Sequence, residues 1–343
     1  MHWLVRGDVG RVLDGGWGVA MRRRDLITVL GGVAAWPLLA HAQQQENMRR
    51  IGFMRAAAPP EHELSAFLRG LSERGYVEGR NFVLVPKWGD GTVSRLSELA
   101  VALLNQRVEV VVTEGTLAVR AVVAVSTSVP VVTTSAADPF MNGLIKNLSR
   151  PGGNVTGFAS MEKDISSKVF GILKEMVPGL RRIGVLSDRS IWPIFTPGQD
   201  EAAKALGIQY NFIDMPHAEA ARDAMREAIA SDAQGAVVRG SPYFSSTQRR
   251  FIIDSAAEHR LPVIYERRDD TERGGLVSYS PNVEEQYRAT ATYVVRILAG
   301  ENPGDLPIQQ PIKFDLIINL VTAKTLGLEI PPTVIARADE VIE

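Results

Sequence analysis

From Arg50 onward, short apolar runs rich in β-branched residues alternate with amphipathic stretches. "RIGFM" (50–54) reads as a strand, and "EHELSAFLRGLSERGY" (61–76) has the helical spacing of apolar residues and ends near Gly75. "NFVLVPKW" (81–88), "VEVVVTEG" (108–115), "VPVVTTSAADP" (129–139) and "NVTGFAS" (154–160) predict further strands, with helices over 93–106 and 116–125 between them. The third of these strands in chain order, 108–115, is apolar without alternation, as expected where both faces are buried. The pattern then restarts. Helices are predicted at 164–178, 196–207, 218–231, 245–260 and 283–300, and strands at 181–188, 208–214, 235–242, 261–266 and 274–281. The run 310–320 and a short helical tail follow.

Strands alternating with helices of this length imply parallel sheets with right-handed crossovers. The restart near 155–163 divides the pattern into two similar halves. The fold class expected is therefore α/β: two doubly wound parallel-sheet lobes. Open sheets of this kind bind ligands beyond the carboxyl ends of their strands, so two facing lobes would form a cleft.

Residues 1 to 48 do not fit this pattern. "MRRRDLITVLGGVAAWPLLAHAQQQ" (21–45) holds three arginines, an apolar run from Leu26 to Ala40, then Ala40-His41-Ala42. The run is shorter than the ~20 residues of a transmembrane helix. The order of basic region, short apolar region and small-x-small site is that of a secretory signal peptide cleaved after Ala42. Arg23-Arg24 ahead of Leu26-Ile27 gives it a twin-arginine character. Met21 is then the expected start, and 1–42 the leader. The chain has no cysteine, which excludes disulfides, thiol catalysis and a lipid anchor on an N-terminal cysteine. A periplasmic location follows as the expectation. The formal net charge of −1 favours neither nucleic acid nor an anionic membrane.

Catalytic signatures are absent. There is no G-x-S-x-G, Walker A loop or H-E-x-x-H, and the five histidines are too scattered to suggest a metal site. No catalytic residue, metal or cofactor is expected. "GDGTVS" (89–94) half-resembles a dinucleotide fingerprint, but a turn leading into a helix N-cap fits better. "RPGGNVTG" (150–157) precedes a strand, whereas a phosphate cradle needs a helix N-terminus. Small polar residues and isolated charges collect instead at the ends of the predicted strands. Gly115, Thr116, Ser135, Asp138, Tyr243, Glu266, Ser278 and Tyr279 are the candidate ligand-binding residues. An exposed helix N-terminus can hold a carboxylate, Asp138 or Glu266 an ammonium, and the tyrosines a flat side chain.

The segments "FLRGLSERGYVEGRNF", "RPGGNVTG", "GGLVSYSPN" and "LPIQQPIKFDLIINLVTAKTLGLEIPPTVIARADEVIE", with the leader, closely resemble the TrpX-like family of ABC-transporter substrate-binding proteins. The resemblance covers essentially all of the chain after Met21, and its C-terminal block is the most specific part. It implies a type I periplasmic-binding-protein fold, with two lobes joined by a three-crossing hinge that closes around a ligand. By that analogy lobe 1 is 49–157 plus 282–306, and lobe 2 is 158–281 plus 307–343. The family's Gly-Thr falls on Gly115-Thr116, its Asp-Pro on Asp138-Pro139, its aromatic loop on Pro242-Tyr243-Phe244 and its Ser-Tyr on Ser278-Tyr279. Leu117 and Ser280 replace the proline and glycine common in relatives. The implied partners are a small-molecule ligand and an ABC permease with its ATPase, for a chain expected to be a monomer. Aromatic or branched amino acids and small aromatic acids fit the candidate residues. A periplasmic sensor and an exported α/β enzyme are the alternatives that the sequence leaves open.

Overall fold

In the computed structural model the described residues are 48–57, 61–137, 143–160, 162–189, 196–215, 220–239 and 246–343. The leader, Asp138, Trp192 and Tyr243 lie outside them. Residues Arg49–Glu343 form one compact unit.

The chain opens with β1 (Arg49–Arg55), α1 (Glu61–Ser72) and β2 (Phe82–Trp88). Next come α2 (Leu96–Leu104), β3 (Val110–Glu114), α3 (Thr116–Val125), β4 (Val131–Ala137) and β5 (Val155–Ser160). The second series is α4 (Glu162–Met176), β6 (Arg182–Ser187), α5 (Thr196–Leu206), β7 (Gln209–Asp214), α6 (Ala221–Ala230) and β8 (Gly235–Val238). It continues with α7 (Ser246–Glu258), β9 (Val263–Tyr265), α8 (Arg268–Glu272) and β10 (Val277–Pro281). The chain ends with α9 (Val283–Leu298), β11 (Phe314–Asn319), α10 (Leu320–Leu326), α11 (Pro332–Ile335) and β12 (Glu340–Ile342).

Among the described residues these strands make two sheets. The first has the order β2-β1-β3-β4-β5, all parallel, and the second β12-β11-β10-β9-β8-β6-β7. The two share one winding: in each, the second strand lies outside the first and the third, fourth and fifth extend the other way. The expected doubly wound α/β architecture is thus present twice. The second sheet then adds β11, antiparallel to β10, and β12 parallel to β11. The tail read as helical contains α10 and α11 but also this last strand, whose three residues are too few to show a period.

Each sheet is buried on both faces. In the first, Ile51, Phe53, Val110 and Val112 pack with Phe67, Tyr287 and Val294, on the side of α1 and α9. Met54 and Val111 turn to the opposite face, against Leu99, Leu103, Val119 and Val122 of α2 and α3. Alternate residues of one strand must face opposite ways, so an unbroken apolar run demands helices on both sides. The second sheet repeats the arrangement. Val185, Val237 and Ile264 join a core with α4, and Leu186, Val238 and Val263 join one with α6 and α7.

Helix α9 follows β10 of the second sheet yet packs on α1 and on strands β3–β5 of the first. Its N-cap is Asn282, whose side chain accepts the Glu285 N–H at 2.8 Å, and Glu284 and Glu285 add favourable charge to its first turn. Segments that run between the sheets bond one another: Gln309 N donates to Gly157 O at 2.9 Å, and Asn282 N to Lys313 O at 3.1 Å. Gly157 has φ +117, and a Cβ there would lie 2.2 Å from the Thr133 carbonyl oxygen. Gly157→Ala therefore combines a disfavoured backbone conformation with a backbone clash. It should lower stability by about 2–4 kcal/mol, read as a shift in the urea midpoint.

Candidate functional site

In a sheet of this winding, helices leave in opposite directions from the first and third strands, and a crevice opens between their carboxyl ends. The first sheet places Arg55, the last residue of β1, opposite Glu114, the last of β3. Arg55 Nη1 lies 2.8 Å from Glu114 Oε2. The contact is one of charge only, because Nε and Nη1 of Arg55 make no hydrogen bond among the described residues. Glu114 also accepts the Tyr287 hydroxyl at 2.5 Å. Burial first, and the adjacent carboxylate second, push that phenol well above its ordinary pKa. Phe53 packs behind the pair, 5.4 Å from Trp88 and 6.1 Å from Tyr287 between ring centroids.

The candidate residues of this half gather at the same place. Ser135 pairs with Glu114 in the β3–β4 register, at an irregularity in the ladder. Its carbonyl accepts the Gly115 N–H at 2.8 Å. Gly115 adopts φ +82, which a side chain would resist, and this turn starts α3 at Thr116 immediately beyond the strand. Gly115, Thr116 and Ser135 thus meet around Glu114. Asp138 lies outside the described residues.

At the equivalent crevice of the second sheet, β6 ends at Ser187-Asp188, both buried, and β8 runs into Arg239, which is 1% exposed. Side chains from three other segments hold the arginine among the described residues. Its Nη1 donates to Glu266 Oε1 at 2.9 Å and its Nη2 to Ser166 Oγ at 2.9 Å. With the Gln199 amide oriented to satisfy both groups, its oxygen accepts from Arg239 Nε at 3.0 Å. Glu266, expected as an isolated charge, is therefore already committed to an internal cation. Ser278 is adjacent on the next strand, opposite Tyr265, and its buried hydroxyl makes no hydrogen bond among the described residues. Tyr279 faces the other side of β10. It stacks on Phe314 at 5.4 Å and packs against the α4 core, the side from which Ser166 reaches Arg239 and opposite to the face that Ser278 occupies. Tyr243 lies outside the described residues.

Arg239, Glu63 and Arg267 were not among the sequence candidates. A lone arginine directly after the buried run "GAVV" was the available signal for the first. Glu63 and Arg267 carry no such signal, since a helical glutamate and one arginine of "ERRDD" read as solvated surface. Arg267 Nη2 in fact reaches Glu63 Oε1 at 2.8 Å, from the second sheet's side to α1 on the first. No group of metal-ligating side chains occurs among the described residues, and none of their helices is long and apolar enough to cross a membrane.

The sequence profile of the ABC transporter substrate-binding protein family matches residues 61–342. The chain belongs to this family. A tyrosine-binding protein of Clostridioides difficile is 20% identical over 299 residues, covering 83% of this chain and 82% of the relative. A conserved domain protein from Vibrio cholerae superposes with a TM-score of 0.80 at 26% identity, covering 86% of this chain and 99% of the other. An ABC domain from Streptococcus pneumoniae, crystallised with L-Trp, gives 0.80 at 22% identity, over 86% of this chain and all 100% of that one. The fold is that of the type I periplasmic binding proteins.

The network at Arg239 gives a direct test. Arg239→Met removes the guanidinium that Glu266, Ser166 and Gln199 share. The loss of stability should be about 3–5 kcal/mol, measured by denaturant unfolding. The added change Glu266→Gln should recover part of it.

Proposed function

We propose that this substrate-binding protein captures an amino acid with an aromatic or branched side chain, or a small aromatic acid, between two lobes, and delivers it to an ABC importer. The observation that carries the reading is the family match over residues 61–342, on a chain with buried charges at both strand-end crevices. A tyrosine-binding relative and an L-Trp-bound structural neighbour support the amino-acid class. The lobes are 49–157 with 282–306, and 158–281 with 307–343, and they close by a hinge. The protein binds its ligand without transforming it.

In this reading the α3 N-terminus, with Gly115, Thr116 and Ser135, receives the ligand carboxylate through backbone N–H groups and hydroxyls. Asp138 takes the ammonium, because Arg239 already engages Glu266. Tyr243 contributes an aromatic face. Ser278 and Tyr279 lie on the strand next to Glu266 on the opposite lobe, on its two faces, with Tyr279 on the α4 side. A ligand held by both lobes favours the closed form by its differential affinity for that form. The closed protein, a monomer, then docks on the permease, whose ATPase drives import. Residues 21–42 form the twin-arginine signal that takes the chain to the periplasm.

A thermal-shift panel of L-tyrosine, L-tryptophan, L-phenylalanine, L-leucine, small aromatic acids and sugars tests this reading. A ligand at 100 times its dissociation constant should add about 2.7 kcal/mol of stability. Asp138→Ala should abolish the shift with amino acids. A shift with sugars alone would sink the amino-acid class but leave the transport role standing.

A further inference from the structure

Helix α8 is fixed to the second sheet's side at three points. Arg249 Nη1 reaches Asp270 Oδ2 at 2.8 Å. The Asn319 side chain donates to Thr271 O at 3.2 Å. Arg268 Nη2 pairs with Glu340 of β12. Arg267, the N-cap residue of this short helix, has an extended backbone conformation. Its guanidinium meets Glu63, on the first turn of α1, and α1 is packed on α9 and on the core of the first sheet. The bond joins positions 204 residues apart, on elements that belong to different sheets.

The surroundings on the first side explain why a cation fits there. Glu63 and Glu114 both act on Arg267, and Arg55 is the cation beside Glu114. Without Arg267 the first side holds two carboxylates, Glu63 and Glu114, and one guanidinium, and Arg267 offsets the excess negative charge. Glu63 is 12% exposed and Arg267 25%, so solvent screens the pair less than an ordinary surface salt bridge. Burial works against the charge on Arg267, but Glu63, Asp269 and Glu114 outweigh it and hold its pKa above the ordinary value. Asp269 Oδ2, at 3.4 Å from Nη2, steadies the side chain from its own side.

We propose that Arg267 and Glu63 form an interlobe latch that sets how much of the protein is closed before ligand arrives, and hence the apparent ligand affinity. The proposal rests on the hinge-closure reading above. A latch of this kind makes no contact with the ligand. It raises the fraction of binding-competent protein, and the apparent dissociation constant falls in proportion. It also slows association, because a closed cleft must open before a ligand enters.

Small-angle X-ray scattering of the chain without ligand tests the latch directly. Wild type, Glu63→Gln, Arg267→Gln and the double variant are compared, with circular dichroism melting to verify folding. Each single variant should have a larger radius of gyration than wild type. The double variant should be no larger than either single, because one bond is lost only once. Isothermal and stopped-flow titration with L-tyrosine or L-tryptophan should then show a dissociation constant several-fold weaker and faster association in the variants. If scattering from both folded single variants superimposes on wild type, the latch is overturned. Should Arg267→Gln fail to fold, Glu63→Gln, which keeps the shape of the side chain, decides alone. The scattering arm uses no ligand. Failure of the amino-acid panel would therefore count against the proposed function, while the scattering would still decide for or against the latch.

Discussion

Parallel strands must be buried on both faces, and most of this structure follows from that requirement. A strand such as Val110–Glu114 offers apolar side chains to both sides, so helices must cover both sides of its sheet. Once the faces are covered, only the strand ends remain for polar chemistry. The amino ends of β1 and β6 carry the exposed arginines Arg49, Arg50 and Arg182. The carboxyl ends of β1 and β8 carry buried ones, Arg55 and Arg239. Position along the strand separates surface charge from charge that is built into a site.

Buried charge needs a partner, and each partner here is supplied from a distance. Arg55 and Glu114 come from neighbouring strands, and Tyr287 reaches Glu114 from a helix 173 residues later in the chain. Arg239 is met by Glu266 from the adjoining strand, Ser166 from α4 and Gln199 from α5. Such groups would be costly if left alone in the interior. Satisfying them fixes where α4, α5 and α9 sit relative to the strand ends. The polar networks therefore position the walls of both crevices, besides lending them charge. The pair Arg249–Asp270 shows the opposing force: burial leads both shifts, lowering the arginine and raising the aspartate against their mutual attraction.

Helix α9 and the β11 strand make the two sheets interdependent. Tyr287 and Tyr293 belong to the core of the first sheet, although they follow the last parallel strand of the second. Lys313 and Gln309 then bond back to segments leading the other way. A fold whose chain passes between its halves this often keeps them adjacent, and the Arg267–Glu63 bond ties them together as well.

Periodicity determined much of this protein by itself. The strands β1, β3, β4, β6 and β8 and the helices between them were legible, because a period of two or an unbroken apolar run has few other readings. The same pattern directed attention to the strand ends, where Gly115, Thr116 and Ser135 do meet. Tertiary structure decided the rest. The β11 strand pairs antiparallel because the chain enters the second sheet from the first sheet's side, and no local residue states that direction. Glu266 is tied to Arg239, and Tyr279 turns toward Phe314, because strand register chooses which face each residue occupies. The Arg267–Glu63 bond is invisible to any local pattern. Helix propensity and spacing describe what happens within a few turns, and this contact joins positions 204 residues apart.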